Sequence, residues 1–241
     1  MSDFTNAFRF IGDNTHLLWT SSLDTLTISA EALVIALVVA VPLGVLLGHV
    51  HRFSFVAING ANIGRALPSL AVVAIALAVL GIGDINLLVA LVILAIPPIL
   101  TNAYVAVDGV DRDAVDAARG MGMRDRDVLL RVELPLALPL LFAGIRTGAV
   151  FVVATTPLGA LVGASGGLGD IISNQASYHF SGVLGAAICL VALALLTEVV
   201  FAGLQRAVTP RGLRVSRRPS MWGPARGIPA APAPNPGGSS A

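Results

Sequence analysis

Five long stretches without charged side chains restrict what this sequence can fold into. Only 12% of the 241 residues are charged, against about 25% in an ordinary soluble domain. A helix that crosses a bilayer needs about 20 mostly apolar residues. The sequence therefore predicts an all-α membrane protein and excludes a soluble single-domain enzyme. The uncharged stretches lie between Glu31 and Arg52, Arg65 and Asp84, Asp84 and Asp108, Arg146 and Asp170, and Asp170 and Glu198.

The stretches predict about five transmembrane helices, each of roughly the length that a bilayer requires. Arginine predicts their orientation, because cationic side chains near the ends of spans favour the cytoplasmic side. The loop after the third span and the segment after the fifth hold most of the arginines, whereas the loops around Asp84 and Asp170 hold none. The N-terminus is therefore expected outside and the C-terminus in the cytoplasm. The predicted spans are 26–48, 56–80, 86–107, 136–163 and 183–204.

The predicted spans divide the chain into three parts. Residues 1–25 form an extracytoplasmic segment, residues 26–212 form the membrane domain, and residues 213–241 form a cytoplasmic tail. The tail is rich in Pro, Gly, Ala and Ser, a composition that favours disorder. The spans show no internal repeat, and five helices alone make a poor sealed pathway. We therefore expect a dimer with a passage between its subunits.

Several chemistries have no support in the sequence. The net charge of +1 provides no field for nucleic acid. The chain has no lysine, so it lacks the Gly-Lys-Ser/Thr segment of a phosphate-binding loop. Cys189 lies in an apolar stretch and is expected to be a small buried hydrophobe. The histidines have no ligand spacing with Cys or acids, so we predict no metal site; they are His16, His49, His51 and His179.

The long inner loop, residues 108–135, is the most informative segment. Asp111 or Asp113 can cap a helix there, and Gly120 and Gly122 can end it. One face of this helix carries small residues and one methionine, spaced i, i+3, i+4 and i+7. A helix lying on the bilayer surface remains an alternative, but such helices bury Leu, Phe or Trp, whereas small residues favour docking to another protein. The face consists of Ala114, Ala117, Ala118 and Met121.

The loop resembles the EAA loop of the inner-membrane permeases of ATP-binding-cassette (ABC) importers. Asp116-Ala117-Ala118 is followed, at the spacing of that family, by Gly122, Val132 and Leu134-Pro135. Asp116 stands in place of the usual Glu and Val132 in place of the usual Ile. The resemblance implies that the helix is a coupling helix seated in a groove of an ATPase subunit. The implied coupling residues are Ala114, Asp116, Ala117, Ala118, Met121, Gly122, Val132, Leu134 and Pro135.

Other segments resemble the osmoprotectant branch of these permeases, which imports glycine betaine, carnitine, choline and related quaternary amines. They are residues 66–71 (ALPSLA), 96–104 (IPPILTNAY), 133–146 (ELPLALPLLFAGIR), 166–170 (GGLGD) and 209–212 (TPRG). Methionine-importer permeases have a similar five-helix layout, so methionine or another small amino-acid-like solute is the alternative cargo. An intramembrane enzyme or an autonomous channel is a third hypothesis, although no nucleophile and base form a pair in the sequence.

The resemblance implies a type I importer permease in a bacterial plasma membrane, with several partners. Cytoplasmic ATPase subunits would bind ATP and magnesium, so no cofactor is expected on this chain. An extracytoplasmic solute-binding protein would deliver the cargo. The second half of the passage would be another copy of this chain or a homologous permease. Aromatic residues make up only 5% of the chain, and quaternary amines are usually held by aromatic faces. Selection of the solute is therefore expected on the binding protein.

Two groups of residues are candidates for contact with the solute or its binding protein. Prolines inside apolar spans free backbone carbonyls, so they and nearby polar residues are predicted to line the pathway. The Gly-rich outer segment is predicted to dock the binding protein and to gate entry. The pathway residues are Pro68, Ser69, Pro97, Asn102, Tyr104 and Thr155, with Thr101 nearby. The outer residues are Gly166, Gly167, Leu168, Gly169 and Asp170.

Three charged residues lie within or at the ends of the predicted spans. Glu31 and Glu198 either reach the membrane interface or supply a counter-charge for a cationic solute. Arg146 is expected to be a cytoplasmic anchor or a partner of the acids in the inner loop.

Overall fold

The computed structural model of the protein describes residues 2–50 and 67–209, and these residues are almost entirely helical. The all-α membrane fold expected from the apolar stretches is confirmed. The helices are α1 (Ser2–Asp13), α2 (Thr15–Val50), α3 (Ser69–Leu80), α4 (Asp84–Asp108), α5 (Arg112–Gly120), α6 (Asp125–Val128), α7 (Leu134–Thr155), α8 (Leu168–Ser173) and α9 (Gln175–Val208). A π-helical turn, Leu129–Glu133, precedes α7, and a 3₁₀ segment, Thr156–Val162, follows it.

Four helical segments in the described residues are long and apolar enough to cross a membrane. They are Thr15–Val50, Asp84–Asp108, Asp125–Val162 and Gln175–Val208. Helix α3 is apolar but has only 12 residues. The beginning of the predicted second span, residues 56–66, lies outside the described residues, as does the predicted tail 213–241. Helix α2 begins at Thr15, well before the expected start of the first span at residue 26.

Helices α2 and α4 approach each other closely through small residues. Every fourth residue on one face of α2 is small and buried: Ala32, Ala36, Ala40, Gly44 and Gly48. A Cβ added at Gly44 would lie 2.6 Å from the Cβ of Ala103 and 2.7 Å from the carbonyl oxygen of Leu100. Lipid tails are as apolar as side chains, so close packing of this kind, rather than hydrophobic burial, holds membrane helices together.

Helix α7 packs on another side of α4 in the same way. A Cβ added at Gly148 would lie 2.8 Å from Cγ1 of Ile99, and one at Gly144 would overlap the side chain of Asn102. Gly44 and Gly48 on α2, and Gly144 and Gly148 on α7, both have the four-residue spacing that lets helix backbones approach. Helix α4 is therefore the centre of the bundle.

Helix α9 packs against α7, and its outer end supports α1. Its backbone is kinked at His179, where φ is 54°. Beyond the kink, Gly182 and Gly185 leave room for Phe10 of α1. The ring of Phe10 meets that of Tyr178 edge to face, with centroids 6.4 Å apart. The N-terminal segment is thus a helix packed on the bundle, where the sequence indicated only a polar extracytoplasmic segment.

Enlarging the side chain at the α2–α4 contact should destabilise the bundle. Gly44→Leu places atoms where Ala103 and Leu100 already lie, and overpacking of this kind costs about 1–3 kcal/mol. We expect a lower melting temperature in detergent by thermal unfolding. Gly203→Leu is the matched control, because no heavy atom lies within 4 Å of a Cβ added at Gly203. Equal melting temperatures for the two variants would contradict the close-packing argument.

Candidate functional site

The inner loop is built around α5, whose N-terminus is capped by its own sequence. Of the two candidate caps, Asp111 is the one used. Its carboxylate accepts a hydrogen bond of 2.9 Å from the backbone N–H of Asp113. Such a cap satisfies one of the backbone donors that a helix leaves free at its start. The loop helix therefore begins at a position fixed by sequence.

The C-terminal end of α5 is closed by Gly122. Its φ is +84°, a backbone conformation that a side chain disfavours. The N–H of Gly122 donates to the carbonyl of Arg119 at 2.9 Å, and the N–H of Met123 donates to the carbonyl of Ala118 at 3.2 Å. This pair of bonds is the Schellman motif that ends many helices. Glycine is therefore favoured at position 122 because the backbone there has a positive φ.

One face of α5 is covered by the loop itself. Val115 and Ala118 are buried in a small apolar cluster. We call it the loop cluster; its other members are Val110, Met123, Val128 and Val132. The predicted docking face is therefore split: Ala118 belongs to the loop cluster and Ala114 is half-buried, because α6 and the π-helical turn fold back over this side. Asp116, Ala117 and Met121 are exposed, Met121 by 77%.

The π-helical turn connects the loop cluster to α7. The N–H of Leu134 donates to the carbonyl of Leu129, five residues back, and Pro135, which has no N–H to donate, follows directly. Val132, Leu134 and Pro135 are all half-buried. These motif residues therefore form the joint between loop and membrane helix, and they lie apart from the exposed side of α5.

Glu133 is a residue of this joint that sequence reasoning did not single out. Its side chain is fully buried, and Oε2 lies 2.6 Å from Nδ1 of His49 at the end of α2. The sequence indicated no metal-ligand spacing for His49 and gave it no partner. An acid inside the apolar segment ELPL at a predicted span boundary was the available signal, because such an acid needs a partner.

The predicted pathway residues do not come together in one site. Pro68 is exposed just before α3, and Ser69 begins that helix. Side chains on α4 turn back onto the helix: Thr101 donates to the carbonyl of Pro97, and Asn102 to that of Pro98, each at 2.7 Å.

Two of the predicted pathway residues lie inside the bundle. Tyr104 is 1% exposed and Thr155 is 6% exposed. Tyr104 lies where α2 and α4 meet, next to Gly48, and the hydroxyl of Thr155 donates to the carbonyl of Phe151 at 2.7 Å. A lining role for these two side chains does not fit this conformation, because helix packing covers them.

The Gly-rich outer segment is packed rather than open. Gly166, Gly167, Leu168 and Gly169 are all buried. A Cβ added at Gly167 would lie 2.6 Å from the carbonyl oxygen of Ser21, and the N–H of Leu168 donates to Oγ1 of Thr25 at 3.1 Å. Small residues here permit contact with α2, so these four residues present no surface to a binding protein. Only Asp170 of the predicted set is exposed.

Acidic side chains gather near this segment. Partial burial raises the pKa of Asp170, and the carboxylates of Asp24 and Asp84 raise it further, whereas the backbone N–H groups of Gly166 and Gly167 oppose the shift. Asp84 also accepts a hydrogen bond of 2.7 Å from the N–H of Ser165. Three carboxylates, those of Asp24, Asp84 and Asp170, therefore lie close enough at this end of the bundle to affect one another.

Two of the three charged residues of the spans, Arg146 and Glu198, pair with each other, whereas Glu31 is exposed. Nη2 of Arg146 lies 2.6 Å from Oε1 of Glu198, and Nη1 donates to Gln205 at 3.3 Å. The expectation that Arg146 pairs with the acids of the inner loop is wrong. Two of those acids pair within the loop: Asp125 with Arg119 at 3.5 Å, and Asp127 with Arg131 at 3.6 Å. Arg146 thus serves as the counter-charge of Glu198.

The apolar spans and the closed inner loop together define a multi-pass helical component of a membrane transport system. Residues 40–212 match the family described as "Binding-protein-dependent transport system inner membrane component". The chain belongs to this family, the permeases of ABC transporters. It is a transport component and not an enzyme, which sets aside the hypothesis of an intramembrane enzyme.

Curated relatives carry names from the osmoprotectant branch. The chain is 36% identical over 209 residues to the carnitine transport permease protein OpuCB of Listeria monocytogenes, covering 86% of this chain and 95% of that protein. It is 36% identical to the glycine betaine/carnitine/choline transport system permease protein OpuCB of Bacillus subtilis, covering 79% and 88%. It is also 34% identical to the osmoprotectant import permease protein OsmY of Salmonella typhimurium, covering 73% and 75%.

Solved structures share the fold. The chain resembles a permease chain in an inward-facing structure of the MetNI methionine ABC transporter, with a TM-score of 0.69 and 25% identity, covering 81% of this chain and 98% of that one. An amino acid ABC transporter solved with histidines has a TM-score of 0.62 at 17% identity, which supports the fold alone. The expectation of a methionine-importer-like fold is confirmed.

Replacing Gly122 should loosen the end of α5. Gly122→Ala forces a side chain into a left-handed backbone conformation, at a cost of about 1–2 kcal/mol. We expect faster hydrogen exchange at the amides of Gly122 and Met123, which make the closing bonds. Gly120→Ala is the control, because Gly120 is helical and a Cβ there meets no heavy atom within 4 Å. Similar exchange in both variants would refute the role of the backbone.

Proposed function

We propose that this chain is the permease subunit of an ATP-driven, binding-protein-dependent importer of quaternary-amine osmoprotectants such as glycine betaine, choline and carnitine. The observation that carries the class is the inner loop, whose helix is closed at both ends and exposes Asp116, Ala117 and Met121. The names of the relatives, at 34–36% identity over most of the chain, support the cargo.

In this proposal, α5 docks in a groove of a cytoplasmic ATPase through its exposed face. Asp116, Ala117 and Met121 supply that face, while the loop cluster keeps α5 in place against α6 and the π-helical turn. ATP and magnesium bind to the ATPase, and this chain contributes no cofactor. Energy then enters the membrane domain as a movement of α5, because the loop is connected directly to α4 and α7.

The passage forms between two permeases, either two copies of this chain or this chain and a homologue. We place the N-terminus outside and the C-terminus in the cytoplasm, from the arginines of the inner loop and of the last segment. The proposed wall of the passage consists of the exposed Pro68, the half-buried Ser69, and Pro97 and Asn102 on α4. We also propose the division of the chain predicted from the sequence: an extracytoplasmic segment, a membrane domain and a cytoplasmic tail, at residues 1–25, 26–212 and 213–241.

An extracytoplasmic binding protein selects the solute in this proposal and docks at the outer end. Asp170 is the exposed residue of the outer segment, and Asp24 and Asp84 lie near enough to affect its ionisation. A negative outer rim raises the local concentration of cationic groups, which suits quaternary amines. Methionine or another small amino-acid-like solute is the alternative, favoured by the likeness to the MetNI transporter.

Uptake by cells that lack their own osmoprotectant systems tests the proposal. The cells receive this permease with its ATPase and its binding protein, and labelled glycine betaine is offered with choline, carnitine or methionine as competitor. We expect choline and carnitine to reduce the uptake of labelled glycine betaine, and an ATPase mutation to abolish it. Competition by methionine alone would establish the alternative cargo, and uptake that persists without the ATPase would refute an importer.

A bulky residue on the exposed face of α5 should block coupling without harming the fold. Ala117→Trp enlarges an exposed side chain, so we expect an unchanged melting temperature but loss of most copurified ATPase and of uptake. Ala118→Trp is the contrasting variant: Ala118 is 3% exposed within the loop cluster, so its enlargement should lower the melting temperature. Full uptake by Ala117→Trp would show that α5 does not dock through this face.

A further inference from the structure

The pair formed by Glu133 and His49 links the inner loop to a helix that is distant in sequence. We propose that the two are positioning residues through which movement of α5 reaches α2, so that ATP hydrolysis is coupled to solute transfer. The inference rests on the proposed function, because it requires an ATPase bound to the loop. It adds an internal contact of the permease to the external contact with the ATPase.

The geometry of the pair is that of a strong, directed contact. Nδ1 of His49 and Oε2 of Glu133 lie 2.6 Å apart, well within hydrogen-bonding distance. Glu133 is fully buried, whereas the side chain of His49 is 18% exposed. Removing one member of a buried pair leaves the other without its partner, which makes the contact sensitive to small displacements.

The second carboxylate oxygen of Glu133 is a further feature of the site. Among the described residues, Oε1 of Glu133 is buried and has no hydrogen-bond partner. Buried polar atoms in folded proteins nearly always have partners, and exceptions call for an explanation. An acid kept in this position with one partner, at a π-helical turn of a kind often found at functional sites, suits a contact that changes with state.

A continuous path leads to the pair from the exposed face of α5. Val115 and Ala118 on the buried side of α5 pack with Val128 and Val132 in the loop cluster. Val132 and Glu133 are neighbours in the π-helical turn. A rigid displacement of α5 therefore moves Glu133, since packed apolar contacts are displaced together rather than compressed.

Helix α2, which carries His49, cannot move independently of α4. Gly48, next to His49, is so close to α4 that a Cβ added there would lie 2.8 Å from the carbonyl oxygen of Tyr104 and 2.9 Å from the Cβ of Val107. A pull on His49 is thus passed to both α2 and α4. The loop already continues directly from α4 and into α7, so the pair adds α2 to the helices that move with it.

The test uses the complete complex of permease and ATPase in proteoliposomes, with the binding protein added. The variants are Glu133→Gln, His49→Gln and the double variant, each compared with the unmodified chain. The readouts are copurified ATPase, ATP hydrolysis and uptake of labelled glycine betaine. Asp127→Asn is the matched control, because Asp127 is an acid of the same loop whose partner, Arg131, lies within the loop.

We expect each single variant to retain the ATPase, while uptake per ATP hydrolysed falls about tenfold, within the usual range of coupling between sites. The ratio of uptake to ATP hydrolysed in the double variant should be no lower than in the more affected single variant, because the effects of two residues in one contact are not additive. Asp127→Asn should have the same uptake per ATP hydrolysed as the unmodified chain.

Three results would overturn the inference. They are an unchanged ratio in the single variants, additive losses in the double variant, and loss of the ATPase from the single variants, which would indicate a structural role only. A separate result tests the function itself. An unmodified chain that neither retains the ATPase nor takes up glycine betaine would overturn the proposed function, and the inference with it.

Discussion

Close contact between helix backbones is the constraint on which this structure depends. In a bilayer no hydrophobic force drives helices together, so attraction comes from surfaces that fit at short range. Gly44 and Gly48 on one side of α4, and Gly144 and Gly148 on another, provide such surfaces. Helix α4 lies between α2 and α7, which can approach it closely because their glycines have no side chains. The position of α4 in turn fixes where the following loop begins.

Polar pairs then connect helices that are far apart in sequence. His49 and Glu133 are 84 residues apart and join α2 to the start of α7, whereas Arg146 and Glu198 join α7 to α9. Their settings differ. Glu133 is fully buried, but Arg146 and Glu198 are each more than a third exposed, so the second pair contributes less to stability. The bundle thus contains one polar contact with a fully buried member and one that is partly exposed on both sides.

The sequence predicted what depends on local pattern and missed what depends on distant contacts. Apolar length predicted the long helices α2, α4, α7 and α9, and cap and glycine signals indicated both ends of α5, because these features involve neighbouring residues. The burial of Ala118 was missed because it requires α6 to fold back over α5. The packing of Gly167 was missed for a similar reason: its neighbours Ser21 and Thr25 belong to α2, and no periodicity relates them.

In the inner loop, the residues that hold α5 in place are different from those that it exposes. Asp111 and Gly122 define the ends of the helix, and the loop cluster packs against its buried side, so the exposed Asp116 and Met121 are not needed to hold it in place. Asp116 and Met121 are therefore free to vary in size and charge without loss of architecture. In an α5 that docks to an ATPase as proposed, the outward residues can change to fit a different ATPase while the loop cluster stays the same.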